Sequence, residues 1–160
     1  MKNLALNLSA LSIGLALGAT HLGAVCLDPK DPTLTTYYYP SLEDEVKSSN
    51  AIVVATVTDV QAFSEDPSDP GGWTSFVYTV RVDETLLGRT PSELILRAQN
   101  DSGGYRMSAR ERHLLFLKRI GDQFSADVCG NSTTLPEGDQ VLSLLRAQLE
   151  KARHAVSPFV

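Results

Sequence analysis

The sequence predicts a mainly β (α+β) domain: a small, closed or nearly closed barrel of five short strands, with a short helix before it and an amphipathic helix after it. Three observations carry this. Residues 74–84 alternate cleanly, with Phe76, Tyr78, Val80 and Val82 on one face and Val77, Thr79 and Arg81 on the other. Dense turn signals separate short β-branched runs across the middle of the chain. Leu142, Leu145, Leu149 and Ala152 recur at helical spacing near the end and form one apolar stripe. The alternative is a sandwich, which usually needs about seven strands.

The elements follow in order. Residues 27–40 hold Asp28-Pro29, Asp31-Pro32 and three tyrosines, Tyr37 to Tyr39. Prolines so closely spaced forbid a regular helix, so an extended arm with partly buried tyrosines is expected. A short helix over 41–50 starts at the cap residue Ser41, with Asp44 in the capping-box position and Leu42, Val46 and Ala51 facing inward. Residues 51–60, AIVVATVTDV, form a first strand whose continuous apolar start implies burial on both faces. Asp66-Pro67, Asp69-Pro70 and Gly71-Gly72 then mark a loop over 63–73. The alternating strand 74–84 ends at a Leu86-Leu87-Gly88 turn, and 93–99 is a third strand. A loop opens at residues 100–104, NDSGG. A fourth strand over 112–120 turns at Gly121-Asp122 into a fifth over 123–128. The helix runs from about residue 136 to 155, and no repeat or low-complexity segment interrupts the chain.

Residues 1–24 read as a cleavable secretory leader. Lys2 is its charged start, residues 4–17 are almost wholly apolar or small, and Ala24 is the best small residue at a cleavage point. The apolar run is too short for a spanning helix, which needs about 20 apolar residues. A lipoprotein leader would also place a cysteine here for lipid anchoring on Cys26, but Val25 stands where a small residue is wanted. The domain is then residues 25–136, with the closing helix in 137–160. The whole chain carries a formal charge of −5, and loss of Lys2 with the leader makes it −6. An acidic domain of this kind is a poor prospect for non-specific binding to nucleic acid or anionic membranes, so neither is expected as a partner. Two cysteines remain, Cys26 and Cys129; an even pair in an exported chain favours a disulfide, with two buried thiols as the alternative.

The order of these features resembles the netrin-type module, the five-stranded OB-fold barrel of the tissue inhibitors of metalloproteinases and related bacterial secreted proteins. The resemblance rests on Cys26, the helix running into AIVVATVTDV, the strand and turn FVYTVRVDETLLG, ARERHLLFL (similar to GERYLLFL in the family) and FSADVCGNS, and it covers about residues 26–135. It implies an OB-like barrel. In the family, a free N-terminal Cys chelates the zinc of a metalloproteinase through its amine and carbonyl, and only Cys26 could carry that role here. Val25 before it and Asp28 in place of a second cysteine depart from the pattern. The short Met-Lys-Asn start and the resemblance point to a bacterial periplasmic or secreted protein.

No G-x-S-x-G, H-E-x-x-H, phosphate-binding loop or paired C-x-x-C occurs, so no catalytic residue, metal site or cofactor is expected. His113 has no nucleophile beside it in sequence, and His154 suits a helix C-terminus. Arg106, Arg110, Arg112, Lys118 and Arg119 crowd one segment, either as an anion-binding patch or as a solvated strand edge. Glu65, Asp66 and Asp69 lack the regular spacing of a calcium loop. The ligand-like residues are Asn100, Asp101, Tyr105 and Arg106, in a loop at the barrel mouth, and Trp73 beside Gly71-Gly72; a plain turn and a hydrophobic plug are the alternatives. Asn131-Ser132-Thr133 matches a glycosylation sequon. The expected function is that of an exported, non-enzymatic binding module acting by protein–protein contact through Cys26, Trp73 and these loop residues, with protease inhibition as one form of it. A carbohydrate- or small-ligand-binding barrel is the first alternative, and a hydrolase with scattered site residues the second.

Overall fold

A computed structural model describes residues 26, 39–65, 67–69, 72–101 and 103–156. The leader and the arm over 27–38, with Tyr37 and Tyr38, lie outside the described residues. Eight elements follow one another: α1 (Leu42–Ser48), β1 (Ala51–Phe63), β2 (Ser75–Leu87), β3 (Glu93–Gln99), β4 (Arg112–Ile120), β5 (Gln123–Ala126), β6 (Thr133–Leu135) and α2 (Asp139–Val156). The neighbours run β1-β2-β3-β5-β4, and pairing of β1 with β4 closes the OB-like barrel. Every pair in the barrel is antiparallel except β3–β5, which meet in parallel at Leu96 and Phe124.

β1 is shared around the barrel. Its first half, from Ala51 to Thr56, pairs with β4, while it pairs with β2 all the way from Ile52 to Phe63. Three register shifts against β2 bend it, as bulges do, so that one strand serves two partners. The far end of β1, Trp73 and Thr74 before β2, the end of β3 and residues 103–111 therefore gather at one mouth of the barrel.

The continuous apolar runs of β1 and β4 are explained by two cores. Ala51, Val53, Ala55, Leu115 and Leu117 point into the barrel with Tyr78, Val80, Leu94 and Leu96. Ile52, Val54, Leu114 and Phe116 point outward and are covered by Leu142 and Leu145 of α2, with Leu42 and Val46 of α1 beside them. The alternation of β2 behaves as expected: Tyr78 and Val80 are buried, and Phe76 and Val82 pack against the inner core.

The structure corrects four details. A sixth strand, β6, pairs with the outer edge of β4; three residues, Thr-Thr-Leu, are too few to show a period. β1 and β2 each run three residues past their expected ends, so Leu86 and Leu87 belong to β2 and the turn falls on Gly88 at φ 79°. A side chain there would also collide with the Asn50 carbonyl, which reserves the position for glycine. Tyr39 is exposed rather than partly buried, and so is Ala152, at the far end of the helical stripe.

Candidate functional site

Cys26 and Cys129 form a disulfide across 103 positions of sequence. Cys26 is completely buried. Its sulfur is committed to Cys129, the atom a thioether-linked lipid would need. The pairing suits an oxidising environment. The segment after Cys129 is fastened a second time: Glu45 of α1, itself buried, accepts hydrogen bonds from the backbone N–H and the side-chain amide of Asn131. Burial, the largest influence, raises the Glu45 pKa, and the Asn131 bonds oppose it only in part. The Asn131 amide also donates to the Pro40 carbonyl, so this sequon asparagine is a structural tie.

The ligand-like residues divide between surface and core. Trp73 is 53% exposed and Phe63, at the end of β1, is 41% exposed. The Asn100 side-chain amide donates to the Trp73 carbonyl, and Asn100 Oδ1 accepts from the Arg106 guanidinium. Arg106 in turn lies over the Phe76 ring, 4.5 Å from its centroid, in a cation–π arrangement. The Trp73 carbonyl, the Asn100 and Arg106 side chains and the half-buried Phe76 ring are thus linked across three segments. Asp101 stands behind it: its carboxylate accepts from the N–H groups of Gly103 and Gly104 and closes the turn. That turn brings Gly104 into a bridge with Asp127, so Asp101 shapes the loop.

Tyr105 departs from the expected surface role. Its side chain is buried, and its hydroxyl sits 3.1 Å from Nδ1 of His113, with the two rings edge to face. The sequence showed Tyr105 beside Arg106 and not that neighbouring side chains on an extended loop point opposite ways. His113, on the inner face of β4, is 0% exposed. Its Nε2 lies 3.4 Å from Glu111 Oε2, within ion-pair reach but without hydrogen-bond geometry. Burial holds the His113 pKa below its ordinary value against the opposing pull of Glu111 and Glu137. Burial first, and Glu111 second, push the Tyr105 hydroxyl above its ordinary range. The imidazole and the phenol both lie buried.

The basic cluster is not one patch. Arg106 belongs to the mouth, Arg112 contacts Asp83 at 3.3 Å beside Arg81, and Arg119 lies over the Phe124 ring. Glu65 is paired with Arg97, and Asp66 lies outside the described residues. Among the described residues no three His, Cys, Asp or Glu side chains come together as metal ligands, and no helix is long and apolar enough to cross a membrane. No protein-family model and no curated protein matches the chain.

Proposed function

We propose that this protein is an exported, non-enzymatic binding module that contacts a protein partner through the barrel mouth, with the netrin-type module as its structural analogue. The observation that carries this reading is the connected surface of Trp73, Asn100 and Arg106 over Phe76. Tryptophan and arginine dominate the energetics of protein interfaces, and here both are exposed on backbone fixed by turns and strand ends. Ligand sites on OB barrels use the same region, the strand faces and the loops at one mouth. Export is supported by the leader-like start and by the disulfide. Burial of Cys26 turns the reading away from zinc chelation, because a chelating residue must reach into another protein's active site. Any protease inhibition would then use the mouth.

The test compares the mature protein with Trp73→Ala, Arg106→Ala and Ile120→Ala, each immobilised and exposed to the exported proteins of the producing organism and, separately, to a glycan array. The reading expects a protein retained by the wild type and by Ile120→Ala and lost from the two mouth variants. Glycan binding lost in Trp73→Ala, without a protein partner, would favour the carbohydrate-binding alternative.

A further inference from the structure

The loop that carries Asn100 and Arg106 is pinned from inside the barrel at one residue. Tyr105 reaches Nδ1 of His113 from one arm of the loop, and Glu111 faces Nε2 from the other. Glu111 Oε2 also accepts from the Ser108 N–H at 2.8 Å, while Arg110 holds a positive φ of 70° between them. We propose that His113 is an acid-sensitive latch: protonated, it releases loop residues 103–111 and so alters the Trp73–Asn100–Arg106 surface. The inference rests on the reading of that surface as the binding site.

The geometry gives the reason. With Tyr105 donating to Nδ1, the ring proton sits on Nε2, facing Glu111. A second proton must enter at Nδ1, so the Tyr105 hydroxyl must turn from donating to accepting. The cation would be enclosed at the end of the barrel. Ala55 of β1 and Thr134 of β6, its strand partners, carry no charge. Among the described residues, the charged groups that face it are Glu111 from the loop and Glu137 from the turn before α2, and Tyr105 is a further titratable neighbour. To close on the cation, Glu111 must shift the same oxygen that accepts the Ser108 N–H; otherwise the ring must leave its pocket. Either movement displaces a contact that shapes the loop. Asn100, at the start of the loop, is bonded to the Trp73 carbonyl, so the change reaches the chain's one tryptophan.

The test measures amide hydrogen exchange of residues 103–111 and Trp73 fluorescence in the mature protein from pH 7.5 to pH 5, corrected for intrinsic exchange. The latch requires loop protection to fall about tenfold or more across the range, the effect of one pH unit of linkage. His113→Gln, which accepts from Tyr105 but does not titrate, should abolish the change. Glu111→Gln, lacking the counter-charge, should move its midpoint to lower pH. Constant protection in the wild type, or the same fall in His113→Gln, would overturn the latch. Should His113→Gln fail to fold, an unmoved midpoint in Glu111→Gln overturns it. Neither readout needs a partner. A responsive loop that retains no partner contradicts the binding reading alone, and a retained partner over an unresponsive loop contradicts the latch alone.

Discussion

The Tyr105 hydroxyl meets Nδ1 of His113 at 3.1 Å inside the barrel, while the next residue, Arg106, lies outside over Phe76. One dipeptide therefore fastens the mouth loop inward and presents a cation outward. Tyr105→Phe removes the bond while keeping the ring, leaving a buried ring nitrogen without its partner. A loss of about 1–3 kcal/mol in urea unfolding at pH 7 is expected. A cost near zero would mean that the pair does not fasten the loop.

Acid should weaken the fold in a defined window. His113 is held below its ordinary pKa by burial, so its contribution is intact above the unfolded value of about 6.5 and is lost as pH falls toward the folded value. Glu45 acts the other way: its raised pKa makes the folded protein take up a proton more readily, which favours folding as pH falls toward 4.5. Stability curves against pH for His113→Gln and Glu45→Gln separate the two. The first variant should lose the decline that begins near neutrality. The second should lose stability relative to wild type as pH falls, and the opposite slope would refute the assignment.

Glu45→Ala tests the tie between α1 and the Cys129 segment at neutral pH. It strands the Asn131 backbone N–H and removes an acceptor from the Asn131 amide, so about 2–4 kcal/mol should be lost. Glu45→Gln retains an acceptor oxygen and should cost less. Equal losses in thermal unfolding would show that shape, not the hydrogen bonds, matters there.

The disulfide and the second core set the stability of the frame. Reduction, or Cys26→Ser with Cys129→Ser, reopens a loop of 103 positions, worth up to about 4–5 kcal/mol by chain entropy. Leu145→Ala, at a wholly buried site of α2 over β1 and β4, should cost about 2–5 kcal/mol. Calorimetry reads both, and a loss under 1 kcal/mol for Leu145→Ala would mean that α2 is not part of the cooperative unit.

Most of the frame was legible in the sequence because the physics there is local. Ser41 caps α1 and accepts the Asp44 N–H as its spacing implies, and β3 and β4 begin and end where their patterns do. The run of β1 announced two-sided burial, and two cores supply it. Composition singled out Trp73, Asn100 and Arg106, and hydrogen bonds link the three at the mouth. What was hidden is non-local. The contacts of Tyr105 with His113, eight residues on, and of Glu45 with Asn131, 86 residues on, depend on side-chain direction and barrel closure, which leave no periodic trace.

Contact at the mouth is tested most directly by a photoreactive amino acid placed at position 73, and at the exposed, mouth-distant position 120 as control, in the protein expressed in its producing organism. The account predicts a discrete protein adduct from position 73 that is absent from position 120 and lost when Arg106→Ala is added. No adduct at 73, or the same adducts at both positions, would contradict it.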